Sequence, residues 1–191
     1  KTPLFYAYQN KNIEAFRLIA SKYPKNNVVD LLYLFCKSNE NLPYLDILFH
    51  NKLVWDVNEP IPPNNNTLLH EAFSSNSIEI MKYLIKKDAS PCVLTNSTTL
   101  LHILAERPDL NNILNMVLKK NYYFKGDIDT VNKNGFTALQ IAALHNNEKA
   151  AILIHGAGAS IHKLKKIKDR IPDPKIIDKL ENLNKPRYRW W

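Results

Sequence analysis

The sequence predicts an all-α fold, a solenoid of stacked helix-turn-helix units, and three observations predict it. A short motif recurs in register, at Thr2-Pro3-Leu4-Phe5-Tyr6-Ala7, Thr67-Leu68-Leu69-His70-Glu71-Ala72, Thr99-Leu100-Leu101-His102-Ile103-Leu104 and Thr137-Ala138-Leu139-Gln140-Ile141-Ala142. The last three threonines lie 32 and 38 residues apart, and Thr2 precedes Thr67 by 65, which is two periods. Self-similarity at that period marks supersecondary units that bury their apolar faces only by stacking on neighbours. Between the motifs, apolar residues fall at helical spacing, as in Ile78, Ile80, Met81, Leu84 and Ile85. With 45% hydrophobic and 23% charged residues the chain has the composition of a folded domain.

A unit of about 33 residues opening T-P-L-H-x-A resembles the ankyrin repeat. The resemblance covers about residues 1–162 and is fullest at Asn134-Gly135-Phe136-Thr137-Ala138-Leu139. It implies a β-turn finger followed by two antiparallel helices in each of about five units, at 1–27, 28–62, 63–94, 95–131 and 132–162. Residues 163–191 would then form a basic C-terminal cap or tail, or begin a further domain.

In the first unit, Thr2–Tyr8 is the inner helix and Ile13–Ser21 the outer one, with Ile13, Phe16, Leu18 and Ile19 as its apolar stripe. Asn10 and Asn12 stand where the family usually has Gly-His, and the same exchange recurs at Asn76 and Asn146. Asn tolerates left-handed backbone better than other non-Gly residues. The second unit lacks the motif, but Val28–Lys37 and Leu42–Asn51 have helical spacing, and Asp56-Val57-Asn58 matches the family's finger start. Trp55 is expected in the core. The third unit has its finger at 60–66, and Lys86 and Lys87 close its outer helix, where cations suit the helix dipole. The fourth unit is longer, with an outer helix over Leu110–Lys120 and an insertion around Asn121-Tyr122-Tyr123-Phe124-Lys125-Gly126. In the fifth, Ala142, Ala143, Ala150 and Ala151 permit close helix packing. Asp173-Pro174 then reads as N-cap and first turn of a capping helix, with Ile176, Ile177, Leu180 and Leu183 on one side. The terminal Trp190 and Trp191 either pack back or open a further domain. A start without Met, inside a unit, suggests a piece of a longer protein.

Of the net charge of +8, residues 163–191 carry +6, so any electrostatic attraction to acidic surfaces belongs to the tail and nucleic-acid binding by the body is not expected. No apolar run approaches the ~20 residues that cross a bilayer, and no signal peptide opens the chain. Cys36 and Cys92 sit in different units with no C-x-x-C or neighbouring His, which fits a reducing compartment and argues against a disulfide, a metal site or a nucleophile. His70 and His102 occupy the family's T-P-L-H position, where the ring satisfies backbone groups of an adjacent finger. His50, His155 and His162 show no ligand spacing. Glu71, Glu106 and Asp109 are scattered, and no phosphate-binding glycine motif is present. No catalytic residue, cofactor or metal is therefore expected.

The resemblance implies a scaffold that binds a partner protein through its concave finger and inner-helix surface. Carrying the family's exposed positions over gives Tyr6, Gln9 and Asn10; Asn64, Asn66, Ser74 and Ser75; Asn96, Thr98, Glu106 and Arg107; and Lys133, Asn134, Phe136, Leu144 and His145. Phe136 and Leu144 are apolar where the fold does not require it, so the expected hot spot is Phe136, Leu144, His145 and Arg107, with Glu106, Lys133, Tyr122, Tyr123 and Phe124 beside it. The Asn, Lys and Ile bias resembles that of ankyrin proteins of intracellular bacteria and large viruses. By that analogy the chain is an effector engaging a host protein, located in the cytoplasm or secreted into a host cytosol. The alternative expectation is a substrate-recruiting module of a larger enzyme.

Overall fold

In the computed structural model, residues 2–24, 28–54, 56–61, 65–93, 97–119 and 128–183 are described. Each motif threonine is an extended residue at a helix N-cap, where a hydroxyl takes up one of the amide hydrogens that the first turn leaves unpaired. Thr2 Oγ1 accepts from the Phe5 amide at 3.3 Å, Thr67 from His70 at 3.5 Å and Thr137 from Gln140 at 3.3 Å. The helices that follow are α1 (Pro3–Gln9) and α2 (Ile13–Ala20), then α3 (Val29–Phe35), α4 (Leu42–His50), α5 (Leu68–Ser74) and α6 (Ile78–Lys86). Further on come α7 (Leu100–Glu106), α8 (Asn111–Lys119), α9 (Ala138–Leu144), α10 (Glu148–Gly156), α11 (Ile161–Lys165) and α12 (Lys175–Leu183). The chain thus forms an all-α fold of stacked helix-turn-helix units, arranged in two compact bodies, Lys1–Ser90 and Pro91–Trp191.

How the helices end explains how they pair. Six of them close on a left-handed residue, Lys11, Lys52, Asn76, Asp88, Asn146 or Gly158, with φ between 52° and 106°. One residue later the amide bonds back to a carbonyl in the helix's last turn, as in Asn12 to Ala7 at 3.0 Å, Ser77 to Ala72 at 2.8 Å and Asn147 to Ala142 at 2.8 Å. That reverses the chain and lays α1 on α2, α5 on α6 and α9 on α10. Asn76 and Asn146 hold the left-handed position as expected; in the first unit it is Lys11, because α1 runs on to Gln9.

In the first body, Phe16 and Phe35 are fully buried, and with Tyr8 and Tyr44 they form an aromatic cluster with centroids 4.9–5.8 Å apart. Leu18 is an exception to the expected stripe, with 70% of its surface exposed. It stands five residues from Ile13, which turns it away from the face that Phe16 and Ala20 bury. Asn39 Oδ1 accepts from the amides of Glu79 and Ile80 at 3.0 and 3.4 Å, capping α6 from 40 residues upstream where Ser77 makes no side-chain cap. Finger bases are tied to the unit that follows. Asn58 accepts from the Ser90 amide at 2.6 Å, and Asp129 accepts from the Ser160 amide at 3.1 Å in the second body.

The second body stacks α7 on α9 and α9 on α10, with α11 and α12 against that end. Buried Asn147 donates to the Ala105 carbonyl at 3.0 Å and accepts from Asn111 at 3.0 Å, so the connection α9–α10 is bonded to the end of α7. In α12, Ile176, Ile177 and Leu180 are buried, but Leu183 is 55% exposed, against expectation, since α12 rests on its neighbours through its first two turns. Asp173 caps that helix by accepting from the Lys175 amide at 3.1 Å.

At two of the capping threonines, Thr99 and Thr137, the residue three positions later joins one unit to the next. At His102, Nδ1 accepts from the Thr99 amide at 3.3 Å and lies 2.8 Å from the Thr99 hydroxyl. The ring hydrogen is therefore on Nε2, which donates to the carbonyls of Thr130 and Phe136 at 3.1 and 3.0 Å. Gln140 makes the same pair of contacts with an amide. Its Oε1 accepts from the Thr137 amide at 2.9 Å and its Nε2 donates to the Lys163 carbonyl at 2.7 Å. His70 lies 2.8 Å from the Thr67 hydroxyl, and among the described residues its Nε2 has no partner.

Burial favours the uncharged ring at both histidines, lowering His102 below its ordinary value and His70 from 6.5 to about 4. Because the unfolded chain then binds more protons, stability should be complete above pH 6.5 and fall as pH drops toward about 4. Two variants test the relay by thermal denaturation. His102→Gln should stay within about 1 kcal/mol of the parent at pH 7 and lose less stability on acidification, whereas His102→Ala should cost about 2–4 kcal/mol. At a helix end, Lys52→Gly should raise stability by about 0.5–1 kcal/mol by removing left-handed strain from an exposed lysine; a loss of stability would contradict the assignment.

Candidate protein-binding surface

The face presented by α7, α9 and the finger at 131–137 is built by the bonds just described. His102 fixes the start of α7 beside the finger, and Asn147 fixes the ends of α7 and α9 side by side. The two packed helices consequently run parallel, so Glu106 and Arg107 close α7 at the same end at which Leu144 and His145 close α9. Glu106, Arg107 and His145 are exposed, and Leu144 is half-buried. Arg107 is held in place by Asp109, which accepts from Nε at 2.9 Å and Nη2 at 2.7 Å. That fork holds the Asp109 carboxyl below its ordinary range and raises the guanidinium.

Phe136 belongs to the opposite end of α9. Its finger turns through Asn132, whose side chain accepts from the amides of Asn134 at 2.9 Å and Phe136 at 3.1 Å, and through Gly135 at φ 77°. Lys133 and Asn134 are exposed on that turn and Phe136 is half-buried. A helix of this length separates Phe136 from Leu144 by about 12 Å. The expected hot spot is therefore two clusters, one at the helix ends and one at the finger. The finger cluster contains a contact that sequence gave no sign of, the Arg170 guanidinium 4.9 Å from the centre of the Phe136 ring. Tyr122, Tyr123 and Phe124 lie outside the described residues, as do Trp55, Asn64, Asn96 and the terminal tryptophans.

Elsewhere on the expected surface, Tyr6 is 53% exposed and Gln9, Asn10 and Ser74 are exposed, while Asn66, Ser75 and Thr98 are half-buried. Tyr8, Gln9, Lys11, Glu40, Asn41 and Tyr44 line a cleft of about 330 Å³ in the first body. Asn41 is occupied there by the Tyr8 hydroxyl at 3.0 Å.

Among the described residues, the groups that sequence offered for chemistry lie apart from one another. Cys36 is fully buried, and burial, with the Glu71 charge, pushes its thiol up to about 12, far from a thiolate nucleophile. Glu71 is buried and accepts from the Asn66 side chain at 2.8 Å. His155 is buried against the Ala159 carbonyl at 3.1 Å. Among the described residues no three His, Cys, Asp or Glu side chains are placed to hold a metal, and no helix is long and apolar enough to cross a membrane.

Comparison with known proteins agrees with this construction. Residues 4–95 match the family model of ankyrin repeats, in three copies. A solved structure, the ankyrin repeat domain of Bcl-3, described as a unique member of the IkappaB protein family, is similar at 16% identity with a TM-score of 0.53. That match covers 94% of this chain and 72% of the other, and it concerns the fold. No curated protein matches the chain. Residues 4–95 thus belong to the ankyrin-repeat family, and the capping threonines and paired helices repeat the same fold beyond residue 95.

Proposed function

We propose that this chain binds a partner protein through the ends of α7 and α9 and the adjoining finger. Ankyrin repeats are in general protein–protein interaction modules and a non-catalytic scaffold. The observation that carries the reading is the grouping of Leu144 with Arg107, Glu106 and His145. It sets a half-buried aliphatic side chain at the same end of the helix pair as a guanidinium that Asp109 holds. An ordered Arg next to an apolar anchor loses little further freedom on binding, which is the usual make-up of an interface hot spot. Phe136 and Lys133 extend the surface at the other end of α9. The domain reading places the repeats in 1–162 and the cap in 163–191. The composition supports a partner from a host cell and a role in its cytosol.

Affinity capture from host-cell lysate tests the surface. Leu144→Ala with His145→Ala should leave the circular dichroism and melting of the protein unchanged and weaken capture about tenfold, the loss of about 1.4 kcal/mol. Capture at parental strength would remove the helix-end cluster from the interface. Capture of bacterial proteins in preference to host proteins would reject the host-directed role.

A further inference from the structure

Two groups of basic residues in the cap differ in their partners. Those facing the body of the protein are engaged: Lys163 donates to the Asp129 carbonyl at 3.0 Å, Lys165 pairs with Glu181, and Lys179 pairs with Glu148. Those toward the finger are not. Lys166, Lys168 and Arg170 are exposed and form no ion pair among the described residues, and neither does Lys133 on the finger itself. The contact of Arg170 with the half-buried Phe136 ring brings this turn against the finger that carries Lys133, so the four cations belong to two adjoining segments. Asp169 is the single carboxylate within this stretch, and it too is exposed.

We propose that the finger at 131–137 and the turn at 166–170 together form a docking site for an acidic peptide segment of a protein partner. This rests on the reading of the chain as a protein-binding module and names the chemistry of the partner at its finger end. The occupant follows from charge complementarity. Four unpaired cations against one carboxylate repel one another, and clustered Asp or Glu side chains relieve that repulsion while steering approach. Phe136 with Arg170 stacked on it supplies an apolar floor that an aliphatic side chain between the acidic ones can cover. The stacked guanidinium keeps its edge nitrogens open to a carboxylate, because cation–π contact uses the face of the group and leaves the N–H donors in plane. Lysine cannot replace it in that double role.

The test is a titration of the full chain with a fluorescein-labelled peptide of glutamates interrupted by two leucines. The parent protein should bind it, with affinity falling about tenfold between about 50 and about 500 mM salt. Lys133→Glu with Lys168→Glu should weaken binding more than about tenfold. The control Lys52→Glu with Lys149→Glu, which changes net charge equally on exposed lysines elsewhere, should change it less than about twofold. Phe136→Ala should weaken a leucine-containing peptide more than an all-glutamate peptide of equal charge. Equal losses in the two double variants would overturn the proposal in favour of unspecific attraction. So would tighter binding of anionic phospholipid vesicles or of a single-stranded oligonucleotide than of the peptide, by assigning the patch to another class of partner. Because the peptide is independent of the lysate, its failure leaves the helix-end surface standing, and failure of capture by the Leu144 cluster leaves this site standing.

Discussion

The structure depends most on one polar contact, the side chain in the third helical position that accepts from its own capping threonine and donates to the following unit. A stack of short helices cannot hold register by apolar contact alone, since leucines and alanines slide past one another at little cost. The His102 ring has one acceptor and one donor at fixed separation, so it aligns the start of α7 and the backbone of the next finger at once. Gln140 reproduces this with different chemistry and ties α9 to the cap through Lys163. Both residues are buried, and a buried polar group left unsatisfied costs about 1–3 kcal/mol, so register errors are penalised at these two junctions.

Around that relay the chain manages with few glycines. It has 4, yet among the described residues nine positions take positive φ, seven of them occupied by Asn, Lys, Asp or Ser. Each such residue stores strain, offset by the hydrogen bond that the reversed chain makes to the last helical turn. Asparagine side chains supply what the ordinary caps do not. Asn39 caps a helix from the preceding unit, and Asn111 with Asn147 bridges α8, α7 and the α9–α10 turn. Asparagine therefore acts in this fold both as a turn residue and as a link between repeats.

Much of the architecture was legible because it is written locally. The threonines announce the caps, the spacing announces the units, and Asn76 and Asn146 announce the reversals. What was hidden depends on residues far apart in sequence. Gln140 does not match the histidine of the motif, and only its two contacts show that it does the same work. Arg170 reaches Phe136 from 34 positions away, so neither its cation–π contact nor the division of the cap's cations was visible. Leu18 and Leu183 satisfied an apolar pattern, but packing decided which face of α2 and how much of α12 is covered. The proposed binding residues were legible as exposed positions, and their separation into a helix-end cluster and a finger cluster was not, because it follows from the length and direction of α9.

This order has consequences for binding. Since His102 bonds the Phe136 carbonyl, the residue that anchors the stack also places the ring that Arg170 covers, and rigidity of the fold becomes rigidity of the finger. The central claim concerns a proton, and nitrogen-15 NMR of the His102 ring observes it directly. A neutral ring with its hydrogen on Nε2 at pH 7, charging only below the ordinary histidine range, is the result the structure requires. A ring that charges above the ordinary histidine range, or that carries its hydrogen on Nδ1 at pH 7, would contradict it.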